Sequence, residues 1–170
     1  MTTNTKKSTL IYRALGAAML LAMPVNAVAS DDSDDIVVRS QPAMEKWQKA
    51  TARQLNRVLE RTGHTYRGRP DNAIVQVTFT LGPDGRAKDL QFYNDEGNQY
   101  ARHVAVRAVR RLRDLNQVPV SDPQDIEFLA NIIFADNKLI EGRLMERLVS
   151  MERARFASSG EKQKYIALGY

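Results

Sequence analysis

Cysteine is absent from the 170 residues, which excludes disulfides, thiolate metal sites and a thiol nucleophile. Histidine occurs only as His64 and His103. That is too few for a usual zinc cluster, and neither sits in a His-Glu-x-x-His pattern. There is no Gly-x-Ser-x-Gly elbow and no glycine-rich phosphate loop. Carboxylates such as Asp84, Asp89 and Asp95 fall in turn or surface contexts. The residues therefore offer no catalytic constellation, no metal site and no cofactor site, and the expectation is a non-catalytic protein. Long apolar runs are lacking too. The longest, Ala14 to Met23, is short of the about 20 residues that cross a bilayer. A long Pro-rich spacer is also missing.

The short apolar run belongs to an N-terminal address. Lys6, Lys7 and Arg13 form its basic end, and Ala27-Val28-Ala29 has the small residues of a cleavage site. Residues 1–29 are thus expected to be a secretory signal, cleaved to release the protein into the periplasm. The alternative is an uncleaved inner-membrane anchor. The formal net charge of +5 is largely the signal's: removing it takes three of the 25 basic residues and none of the 20 acidic ones, leaving +2. Global charge is then no argument for a nucleic-acid partner. Residues 30–41, with Asp31, Asp32, Asp34 and Asp35, read as an acidic linker that stays solvated.

Within residues 42–136 the period of the hydrophobic pattern changes in an ordered way. Pro42 to Thr62 reads as a helix, with Met44, Trp47, Thr51, Leu55, Val58 and Leu59 on one face and a mostly basic other side. His64 to Pro70 is a basic loop carrying Arg67 and Arg69. In Ala73 to Leu81, Val75, Val77, Phe79 and Leu81 alternate with Gln76, Thr78 and Thr80, the pattern of a half-buried strand. Gly82-Pro83-Asp84-Gly85 turns the chain, with Gly85 suited to the left-handed conformation and Asp84 to bonding its own backbone. A return strand follows from Arg86 to Tyr93. Ala101, Val104, Ala105, Ala108 and Leu112 then mark a helix. Its Arg residues cover the apolar stripe with their stems while their charge faces water. After Pro119 and Pro123, a last strand from Asp125 to Ala135 places Ile126, Phe128, Ala130, Ile132 and Phe134 on one face.

This order resembles the C-terminal domain of the TonB family. The likeness is carried by the V-x-V-x-F-x-L run from Val75 to Leu81, the Pro83-Asp84-Gly85-Arg86 turn and Ala105-x-x-Ala108-Val109-x-x-Leu112. The Val118-Pro119 step and the final I-x-F-x-A-x-I-x-F strand complete it. Family members commonly carry a Tyr-Pro step before the first strand; here Tyr66 and Pro70 are separated by Arg67-Gly68-Arg69. The resemblance implies an α+β fold, a small three-stranded antiparallel sheet with helices packed on one face. It also implies a periplasmic domain that binds segments of outer-membrane or envelope proteins by adding a strand to its sheet, in the service of outer-membrane transport. The last strand, which lies at the sheet edge in the family, has no Pro and no Lys to guard it. Leu129, Asn131, Ile133 and Phe134 are the expected pairing residues, with Arg67 or Arg69 available for an acidic group of the partner. Glu127, Leu129, Asn131 and Ile133 would set side-chain preference. The competing expectation is that the C-terminal tail covers this edge.

Residues 137–170 fall outside the resemblance. Asp136 is suited to cap a helix in which Ile140, Leu144, Leu148 and Met151 form a stripe, widened by Met145, Val149 and Phe156. Such a C-terminal helix folds back on its own domain or joins two chains as a homodimer. The residues after Ser158-Ser159-Gly160 carry no functional signal. Two further readings stay open: a TonB energy transducer with an uncleaved anchor, and a self-associating envelope structural protein.

Overall fold

In the computed structural model, residues 11–13, 40–63, 68–158 and 165–169 are described. Of the expected signal only β1 (Ile11–Arg13) is among them, and the acidic run of the linker and Arg67 lie outside. The first helix, α1, spans Gln41–Gly63 and buries Met44, Trp47, Thr51, Leu55 and Leu59, the stripe that the sequence marks. The central strand β2 (Ala73–Leu81) pairs antiparallel with β3 (Ala87–Asn94) and with β4 (Glu127–Ala135).

The turn between β2 and β3 closes as its residues dictate. The Gly85 N–H donates to the Gly82 carbonyl at 2.9 Å, and the Arg86 N–H donates to Asp84 Oδ1 at 3.1 Å. Gly85 has φ of +69°, a conformation in which other residues are strained. Helix α2 (Gln99–Arg110) starts at Asn98, whose Oδ1 accepts from the Ala101 N–H at 2.9 Å.

Helices α1 and α2 pack on one face of the sheet. Val75, Val77, Phe79 and Leu81 of β2 meet Phe128, Ala130, Ile132 and Phe134 of β4 there, with Phe79 and Phe128 stacked at 5.3 Å between ring centroids. Each fully buried side chain of this size contributes about 1.5–3 kcal/mol relative to exposure. This core follows the parities of the sequence.

The other face departs from them. The last helix, α3 (Lys138–Ser158), lies across it, packing Leu148, with Ile140, Leu144, Met145 and Met151, against Ile74, Ile133 and Ala135. Helices therefore cover both faces, not one, and β2 is buried on both sides, with only Thr80 partly open. Alternation made β2 look half-solvated because Gln76 and Thr78 are polar. Both are buried on the face where α3 packs, and α3 reaches Gln76 directly through Glu152. The stripe that the sequence offered either to this domain or to a second chain is thus spent on the chain's own sheet. The cap of α3 is Asn137, whose Oδ1 accepts from the Ile140 N–H at 3.0 Å. Asp136, expected in that role, instead accepts from Arg69 at 2.5 Å and from Asn72 at 3.0 Å.

The sheet is also wider than three strands. A short strand, β5 (Tyr165–Leu168), pairs parallel with β4, and β1 pairs antiparallel with β4. The fold is α+β, and its sheet is mixed rather than purely antiparallel. Among the described residues, no helix is long and apolar enough to cross a membrane.

Candidate strand-pairing edge

Strand β4 gives one edge to β2 along Ala73 to Phe79. Its other edge is shared by two short segments running in opposite directions. Tyr165 to Leu168 pair in parallel with Glu127 to Ala130, and Ile11 to Arg13 pair antiparallel with Ile133 to Ala135. Only Asn131 and Ile132 fall between the two registers. Most of the edge of this guard-free strand is thereby paired by the chain itself.

The residues singled out from sequence sit on this strand but do not present themselves as expected. Leu129 pairs with Ala167, Ile133 with Arg13 and Phe134 with Tyr12. Leu129, Asn131 and Ile133 are buried at 0%, 2% and 3% exposure. They share the sheet face on which α3 packs, so in this structure their side chains do not face solvent as expected. Glu127 is partly buried. Arg69 is held by Asp136 of the same chain, so it is not an idle cation for a partner carboxylate.

Beneath α3 lies a polar cluster that the sequence did not announce. Gln76 Nε2 donates to Asn131 Oδ1 at 2.7 Å and to Glu152 Oε1 at 3.0 Å. Arg155 donates to Glu152 Oε2 from Nη2 at 2.6 Å and from Nε at 3.2 Å. The carboxylate of Glu152 fixes the orientation of both amides: turning them over would aim Gln76 Oε1 at a second acceptor. Among the described residues, Gln76 Oε1 and Asn131 Nδ2 are left without a hydrogen-bond partner as a result. Helical spacing hides this cluster, because Glu152 and Arg155 lie off the Ile140/Leu144/Leu148/Met151 stripe and charged residues on a helix ordinarily face water.

The same arginine reaches β5. Its guanidinium lies 5.6 Å from the centroid of the Tyr165 ring and 4.5 Å from that of Phe156, within cation–π range. Tyr165 also meets Tyr93 of β3 edge-on at 5.9 Å, and α1 reaches the strand through Gln48 Nε2, which donates to the Ala167 carbonyl at 3.3 Å. Burial raises the Tyr165 phenol above its ordinary value, the negative charges of Glu127 and ionised Tyr93 act the same way, and Arg155 opposes them. These contacts clip β5 onto the edge. A tetrapeptide this short, with no alternation of polar and apolar residues, gave no signal of its own.

No group of three or more His, Asp or Glu side chains converges as a metal site among the described residues. What the arrangement offers is backbone pairing. The chain matches no family model, no curated protein and no solved structure.

Proposed function

We propose that this chain is a non-catalytic periplasmic binding domain of TonB type that takes up extended segments of envelope or outer-membrane proteins and thereby serves outer-membrane transport. One observation carries the reading: the β4 edge accepts two separate short segments, one parallel and one antiparallel. Such an edge is a template for added strands whose direction it does not dictate. The resident segments are three and four residues long, so each contributes few rungs and yields to a longer strand. Cleavage after Ala29 would also remove β1 and expose Ile133 to Ala135, next to Asn131 and Ile132, which lie between the two registers among the described residues. A partner segment then enters at this end and displaces β5 as it extends towards Glu127.

The test has two arms. Sequencing the N-terminus of protein recovered from fractionated cells is expected to give Ser30 in the periplasmic fraction. Titrating labelled mature protein with extended periplasmic peptides of outer-membrane proteins should shift the NMR signals of Asn131 to Ala135 first, and those of Tyr165 to Leu168 with longer peptides. Full-length protein in the inner membrane, or shifts confined to other surfaces, would overturn the reading.

A further inference from the structure

Six arginines line one cleft of about 460 Å³, a size that holds a small ligand. They come from three elements: Arg57 and Arg61 from α1, Arg86 from the turn after β2, and Arg110, Arg111 and Arg113 from the end of α2 and beyond. Along the sequence they read as two separate solvated surfaces and a hairpin. Only the packing of α1 against α2 makes them one site.

Ordinary structural roles account for part of this set. Arg110 lies in the last turn of α2, where a cation complements the helix dipole. Arg86 has Asp84 at 3.7 Å, but both side chains are about two-thirds exposed, so this pair is weak. The dipole does not call for Arg57 on the neighbouring helix, nor for Arg113 beyond the end of α2. One guanidinium is held by a neutral group, Arg111 Nη1 donating to Thr62 Oγ1 at 3.3 Å, while at Arg113 the backbone is anchored, its N–H donating to Gln54 Oε1 at 2.9 Å. Among the described residues, no carboxylate lines the cleft. A cleft walled by like charges is complementary to an anion of several charges.

The choice of residue narrows the ligand. All six cations are arginine and none is lysine; the planar guanidinium fork matches the paired oxygens of phosphate and donates two hydrogen bonds at once. The lining holds no aromatic ring, so it lacks the stacking platforms that single-stranded nucleic acids use. We infer that the cleft between α1, α2 and the β2–β3 turn is a binding site for a multiply charged phosphate anion, either free or carried by the headgroup of a lipid surface.

The experiment uses the full chain and two kinds of probe at constant ionic strength. Pyrophosphate is titrated calorimetrically, and sedimentation is measured with phosphatidylcholine vesicles, with and without cardiolipin, whose headgroup carries two phosphates. Saturable pyrophosphate binding identifies a free phosphate anion; binding only to the cardiolipin vesicles identifies a headgroup. In whichever arm binds, the triple variant Arg57→Gln, Arg110→Gln, Arg113→Gln should lose affinity by at least about tenfold, the equivalent of one well-placed charged contact. The matching Lys variants, which keep the charge without the fork, should fall between. A control that removes three charges elsewhere, Lys46→Gln, Lys49→Gln, Arg143→Gln, should bind as the unaltered chain does. Circular dichroism checks that every variant is folded. Three outcomes overturn the inference: no binding in either arm, equal losses in the control, or tighter binding of a single-stranded oligonucleotide than of either phosphate probe.

Discussion

Replacing Glu152 by Leu removes the hub of the polar cluster beneath α3 while keeping similar volume. Its carboxylate accepts from Gln76 on one oxygen and twice from Arg155 on the other, and the side chains of the ion pair are only 6% and 11% exposed. Breaking a buried pair from one side costs about 3–5 kcal/mol, because the surviving charge is left in a poor solvent. Arg155 is not fully enclosed and Gln76 retains Asn131, so the lower end applies, about 3 kcal/mol. At roughly 3 °C per kcal/mol for a protein of this size, the melting temperature should fall by about 9 °C. Removing both charges, as Glu152→Leu with Arg155→Met, should recover most of that loss, since an apolar replacement of both partners is often neutral or better. Urea unfolding of the two single variants and the double variant gives the coupling energy directly. A loss below about 1 kcal/mol for Glu152→Leu, or a double variant as unstable as the sum of the singles, would refute the reasoning.

Three other perturbations follow from the same geometry. Leu148 is fully buried against Ile74 and Ile133, so Leu148→Ala should cost about 2–5 kcal/mol by thermal melt without releasing a monomer from a dimer; light scattering checks the second part. Gly85→Ala places a Cβ at φ of +69° and 2.9 Å from the Asn116 side chain, and a loss of about 1–2 kcal/mol in urea is expected. The raised phenol of Tyr165 stabilises the folded chain while it is neutral; that contribution is complete below the unfolded value of about 10 and is lost as pH rises through the folded value. Hydrogen exchange of the β5 amides, corrected for intrinsic rates, should therefore speed up above pH 10 in the parent and show no such step in Tyr165→Phe.

The elements whose causes are local were legible in the sequence. The turn at Gly82 to Arg86 is set by one left-handed glycine and one Asx bond, and α2 begins where Asn98 caps it. The core between the sheet and the first two helices obeys the periods of 2 and 3.6 that its own residues display. Tertiary structure decided the rest. Gln76, Thr78 and Asn131 looked solvent-facing because polarity in a strand ordinarily means water; whether a roof lies over them depends on α3, which joins the sheet some sixty residues later than β2. The β4 edge has the composition of an open strand, and only the return of Tyr165 to Leu168 and Ile11 to Arg13 shows that the chain fills it. The six arginines of the cleft are scattered from Arg57 to Arg113, and no local rule brings them together. Local chemistry reports what a residue prefers within a few positions, whereas burial, pairing and charge density at a site are sums over neighbours that the chain supplies from afar.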